Sequence, residues 1–137
     1  MAVLAKADCA VLEAYWRGLA EPPEYALLRP AETGLVMVRG RISGTGAPFN
    51  LGEMTMTRCA IRLTCGTVGF GHVAGRDRRH AELAAVFDAL LQTGRWHDRV
   101  QRDLIDRLAA DRAAERDAAE RRIAATKVEF FTLVRGE

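Results

Sequence analysis

The feature that most constrains this chain is a change of period. Within Phe49–Thr64, Met54, Met56, Arg58, Ala60 and Arg62 alternate with Thr55, Thr57, Cys59, Ile61 and Leu63. A period of two places these sets on opposite faces of a β-strand. Cys65-Gly66-Thr67 supplies a hairpin-like turn, and Val68–Ala74 returns as a second strand. Gly66, Gly69 and Gly71 either weaken that strand or mark close packing. Beyond Gly75 the period becomes helical. Ala81, Ala84, Ala85, Phe87 and Leu91, with Leu83, Val86 and Leu90, predict a strongly apolar helix from near Asp77 to near Gly94.

The flanking segments extend this plan. Val11, Leu12, Tyr15, Trp16 and Leu19 form one apolar stripe on a helix over Leu4–Ala20, with Asp8 as a cap and Pro22-Pro23 as the stop. Tyr25–Arg29 reads as a short strand that Pro30 either ends or marks as a sheet edge, and Gly34–Ile42 as another rich in β-formers. Ser43–Pro48 is a loop. A second C-terminal helix spans about Trp96–Ala125, where Val100, Leu104, Ile105 and Leu108 can dock on a core. Its later part, Asp111–Arg122, offers only alanines as an apolar face, so it is solvated or partner-facing. The tail, Val128–Val134, is β-like and apolar. The expected class is α+β: a small antiparallel sheet of about four strands, with an N-terminal helix and two C-terminal helices packed on one face. At 137 residues a single domain over 1–137 is expected, large enough to need no disulfide or metal staple.

Charge narrows the function classes. Twenty basic residues against 18 acidic ones, balanced in both halves, leave no footprint for nucleic acid or an anionic membrane. No apolar run approaches transmembrane length, and Met1–Ala10 lacks the pattern of a signal peptide. Cys9, Cys59 and Cys65 form neither a CxxC nor a zinc pattern, so reduced cysteines in a cytoplasmic protein are expected.

Few residues suggest chemistry. Gly44-Thr45-Gly46 lacks the Lys-Ser/Thr of a P-loop and reads as a hairpin loop. Gly75-Arg76-Asp77-Arg78-Arg79-His80 follows a strand and opens a helix, whose N-terminus favours anions. Arg76, Arg78, Arg79 and His80 are therefore candidates for binding an anion or an acidic partner, or else form a solvated turn capped by Asp77. Arg58 and Arg62 share one strand face. Facing inward they need partners; facing outward they are solvated. Glu32 is a turn residue or a salt-bridge partner for such an arginine. His72, His80 and His97 have no metal-ligand spacing, so no metal is expected. No nucleophile motif occurs, and Ser43 lies in a loop.

Taken together, several blocks resemble one family. They are Ala31-Glu32-Thr33-Gly34-Leu35, Gly44-Thr45-Gly46 with Phe49, and Thr55-x-Thr57-Arg58 with Arg62. Gly66-x-x-Gly69, Gly75-Arg76-Asp77 with His80-Ala81-Glu82, and Phe130-Phe131-Thr132-x-Val134-Arg135-Gly136 complete the set. In this order and spacing they resemble PhnG, the G subunit of the bacterial carbon–phosphorus lyase system. The resemblance implies organophosphonate catabolism. With the I, H and L subunits, such a chain supports transfer of the ribose triphosphate of ATP to a phosphonate, with release of adenine. ATP and phosphonate are then substrates of the complex, and this chain carries no cofactor. The iron–sulfur chemistry of the J subunit is not expected here, since the cysteines cannot bind a cluster. Phe130, Phe131, Leu133, Val134 and Arg135 become interface candidates, docking on the chain's own sheet, on a partner, or on another copy as a homo-oligomer. The competing class is an independent nucleotide- or phosphate-binding domain that uses the Gly75–His80 helix start.

Overall fold

The computed structural model describes residues 1–42 and 45–126. A short 3₁₀ turn (Leu4–Lys6) precedes helix α1 (Cys9–Arg17), whose N-cap Asp8 accepts from the Ala10 N–H. Three strands follow: β1 (Tyr25–Arg41), β2 (Pro48–Leu63) and β3 (Val68–Ala74). They form one antiparallel sheet in the order β1-β2-β3. Helix α2 (Arg78–Leu91) crosses its inner face. The chain returns through α3 (His97–Val100), a π-helical turn (Gln101–Ile105) and α4 (Asp106–Ala124).

The α+β architecture is as expected, but with three strands rather than about four. Of the two readings of Pro30, the edge is the one observed: it ends no strand but lies within the edge strand. Tyr25–Arg29 and Gly34–Ile42 belong to one long β1, with register shifts between Leu27 and Arg29 and between Arg29 and Glu32. The physical reason is position. β1 is the sheet edge, where a missing proline N–H is tolerated and a bulge absorbs the irregularity.

One sheet face meets the helices. Cys59 and Ile61 of β2 lie opposite Gly71 and Gly69 of β3 in the ladder, and all four are buried. The glycines of β3 mark close packing. A Cβ on Gly69 would lie 2.0 Å from the Ala85 carbonyl oxygen, and one on Gly71 would lie 2.0 Å from that of Ala81. Helix α2 therefore sits directly on the β3 backbone. Phe87, Leu83, Val86 and Leu90 of α2 close a core with Leu4, Leu12, Ile61, Val73, Val100 and Leu104. Tyr15 and Trp16 meet Phe87 edge-on, and Trp16 also meets Tyr25.

The strands outrun the helices. At about 3.3 Å per residue β1 is about 56 Å long, whereas α2 covers about 21 Å. On the inner face of β2 burial accordingly begins at Thr57 and continues through Cys59 and Ile61 to Leu63, while Pro48–Met54 is exposed. The distal parts of β1 and β2 leave the body as a two-stranded arm.

Candidate functional site

The expected helix start is where the sequence places it. Gly75, at φ +90°, lets the chain leave β3, and its N–H donates to the Thr55 carbonyl. Asp77 is the N-cap of α2, accepting from the His80 N–H at 2.9 Å. A carboxylate thus already sits where an anion would bind. Arg76 and Arg78 are exposed. Arg79 turns back to pair with Glu13 (2.9 Å) and Glu82 (3.2 Å), and its hydrogen bond holds the Glu13 carboxyl below the ordinary carboxylate value. His80 is buried, with Nε2 2.7 Å from the Leu4 carbonyl oxygen. Arg79 and His80 are therefore engaged in tying α2 to α1 and the N-terminal turn.

Arg58 and Arg62 lie on the sheet face away from α2, and both are exposed. Arg58 bonds Glu32 of β1 at 2.7 Å, and Arg29 approaches the same carboxylate at 3.5 Å. Glu32 is thus a strand residue and an ion-pair partner, not a turn residue. His72 stands opposite Arg58 on β3, completing a polar row from Glu32 to His72. Phe70, 54% exposed, lies beside it opposite Ala60.

The feature the sequence reading missed is the arm. Leu35 (64% exposed), Val36, Met37, Phe49, Leu51 (65%) and Met54 all reach solvent. Val36 pairs with Met54 on one face, and Leu35 and Met37 occupy the other. A solvated two-stranded ribbon is at best marginally stable. An apolar surface on both its faces marks an interaction site. The base is anchored by Thr57, whose hydroxyl donates to the Gly75 carbonyl at 2.8 Å and bonds the Thr33 hydroxyl at 2.9 Å. The available signal was length: two long β-runs against helices too short to cover them.

Among the described residues no three His, Cys, Asp or Glu side chains could hold a metal ion. The thiols of Cys9, Cys59 and Cys65 are free, with Cys59 buried and Cys65 exposed. A concavity of about 590 Å³ lined by Arg39, Gly40, Arg41 and Pro48 is open to solvent at the arm. None of the described helices is long and apolar enough to cross a membrane. The interface candidates Phe130, Phe131, Leu133, Val134 and Arg135, like Gly44 of the loop motif, lie outside the described residues.

Comparison with known proteins agrees with the resemblance read from the sequence blocks. The family model described as "Phosphonate metabolism protein PhnG" matches residues 1–136. The alpha-D-ribose 1-methylphosphonate 5-triphosphate synthase subunit PhnG of Rhizobium meliloti (strain 1021) is 47% identical over 137 residues, spanning 100% of this chain and 87% of that protein. An edge-to-edge match of this kind, over the helix start, the arm and the polar helix alike, means that the chain belongs to the PhnG family.

Proposed function

We propose that this chain is the G subunit of an alpha-D-ribose 1-methylphosphonate 5-triphosphate synthase, a multi-subunit enzyme of phosphonate catabolism. The observation that carries the reading is the identity with a subunit of that name along the whole chain. In the reaction, a phosphonate oxygen forms a bond to the ribose anomeric carbon of ATP. The bond to adenine breaks, and adenine leaves with a proton. No set of described residues in this chain converges on such a centre. Its contribution is to hold partner chains. The I, H and L subunits share the synthase step with it, the J subunit joins the same system for carbon–phosphorus cleavage, and the complex works in the cytoplasm.

The arm supports this role. Its apolar faces suit burial against another protein, and Arg58, Arg62 and His72 supply a polar border on the adjoining sheet face. Arg76 and Arg78 are a second exposed basic pair, suited to an acidic partner surface. The test is co-expression with the I subunit. A Val36→Asp/Met54→Lys variant should keep its melting temperature within about 2 °C, since neither side chain belongs to the core. It should lose co-purification and, in the complete system, adenine release from ATP and methylphosphonate. Full retention of both would refute the reading. If instead the isolated chain binds ATP at micromolar affinity and Arg78→Ala abolishes this, the independent nucleotide-binding reading holds.

A further inference from the structure

We infer that the edge of β1 over Thr33–Met37 receives an extended segment of a partner subunit, apolar on both faces and carrying a carboxylate at its Arg39 end. The inference rests on the subunit reading above and deepens it. It gives the arm a backbone pairing in addition to the contacts on its faces.

The direction of the backbone groups locates the pairing. The Thr55 carbonyl accepts from the Gly75 N–H, so at Thr55 the backbone of β2 points away from β1. Thr55 and its ladder partner Leu35 are then a non-hydrogen-bonded pair, and the Leu35 N–H and C=O point to the free side of β1. Thr33 and Met37 lie two residues to either side, opposite Thr57 and Glu53 with no register shift between, and point the same way. Among the described residues this side of β1 has no neighbouring strand.

Natural sheet edges are ordinarily blocked by charges, prolines, bulges or side chains, or are covered. The other edges of this sheet carry such devices. On β3, the Asp88 carboxylate accepts from the Phe70 N–H and the Gln92 side chain donates to the Val68 carbonyl. On the distal part of β2, Gly75 takes the Thr55 carbonyl, Glu53 adds a charge, a register shift falls at Leu51, and Pro48 lacks an N–H. At the base of β1, two register shifts and Pro30 break the ladder. Thr33–Met37 has no such device.

Charge selects the occupant. A second copy, related by a two-fold axis, matches all three outward positions only with Leu35 opposite itself and Thr33 opposite Met37. That register sets Arg41 of each copy level with Arg29 of the other, and Arg39 level with Ala31. Like charges then meet twice, and no carboxylate faces Arg39. A segment of a different chain escapes this symmetry. It meets Leu35 and Met37 on one face and Val36 and Val38 on the other, all apolar, and an Asp or Glu opposite Arg39 supplies the opposite charge. In strand addition of this kind main-chain hydrogen bonds give affinity and the alternating side chains give specificity.

The test compares the isolated full chain with the complex made by co-expression with the I, H and J subunits. Hydrogen exchange is read residue by residue. The outward amides of Leu35 and Met37 should exchange at least about tenfold more slowly in the complex, and that of Val36, already within the β1–β2 ladder, should change less. Met37→Pro removes one outward N–H where an edge strand tolerates proline. It should weaken assembly about tenfold or more, because a partner carbonyl loses its donor, whereas Met37→Ala keeps the N–H and should weaken it less. Unchanged Leu35 and Met37 exchange in an assembled complex, or equal assembly of Met37→Pro and parent, would overturn the inference and leave the subunit reading standing. Slow exchange of these amides in the isolated chain would also overturn it, making the occupant the same chain in a monomer or a second copy in a dimer. Failure of the parent chain to assemble would sink the subunit reading and this inference with it.

Discussion

Gly71→Ala should be among the most damaging small substitutions in the chain. Helix α2 lies so close to β3 that a Cβ at this position would be 2.0 Å from the Ala81 carbonyl oxygen, 2.9 Å from the Ala85 nitrogen and 3.0 Å from the Ala81 carbonyl carbon. These are backbone atoms, so no side-chain rotation relieves the overlap. The helix must retreat by about 1 Å or more to restore ordinary contact. A radial gap of about 0.5–1 Å already forfeits a quarter to a half of the dispersion energy between facing atoms. Nine residues of α2 are buried, including Phe87, Leu83, Val86 and Leu90. Overpacking typically costs about 1–3 kcal/mol and occasionally more. The rigid clash and the breadth of the disturbed contact place Gly71→Ala at about 3 kcal/mol or above. By urea denaturation this is a lower midpoint at unchanged slope, and by heating a fall of roughly 10 °C for a chain of this size. Gly34→Ala is the control: nothing lies within 4 Å of its Cβ position, so it should be neutral or slightly stabilising. A Gly71→Ala protein within about 0.5 kcal/mol of the parent would refute the close approach of α2 to β3.

Other consequences follow from the helix start and the inner network. His80→Ala removes the shorter of two hydrogen bonds to the Leu4 carbonyl, leaving only the 3.4 Å bond from the Ala7 N–H, and empties a buried imidazole site; it should cost about 1–3 kcal/mol in urea unfolding, while Arg78→Ala, at an exposed position, should change stability by less than about 0.5 kcal/mol. Tyr25 is half-buried and its hydroxyl donates to Glu82. Burial, and then the Glu82 carboxylate, raise its pKa above the ordinary 10. The folded state thus resists ionisation that the unfolded chain undergoes freely. This contribution is complete below pH 10 and is lost as pH rises through the raised folded value. Stability measured across the alkaline range should therefore fall less steeply in Tyr25→Phe than in the parent, and parallel curves would contradict the assignment.

Much of this molecule was legible in its sequence because the relevant physics is local. The alternation through Met54–Leu63 defined β2, and the change of period after Gly75 placed α2 with Asp77 at its start. The ordered blocks from Ala31 to Gly136 carried the family, since a motif survives as residue types and spacing whatever the packing around it. Tertiary structure decided the rest. Pro30 is compatible in one dimension with a strand end or a sheet edge, and only the assembled sheet selects the edge, which does not need that N–H. Arg58 and Arg62 lie on a strand whose alternation is equally compatible with either face inward, and only the position of α2 sent them to solvent. Arg79 and His80 look like a basic anion site until α1 and the N-terminal turn bring Glu13 and the Leu4 carbonyl across 66 and 76 residues of chain. Leu35, Val36, Met37 and Leu51 have the composition of a core strand. They are exposed because burial depends on what lies above a residue, and 21 Å of helix cannot cover about 56 Å of strand.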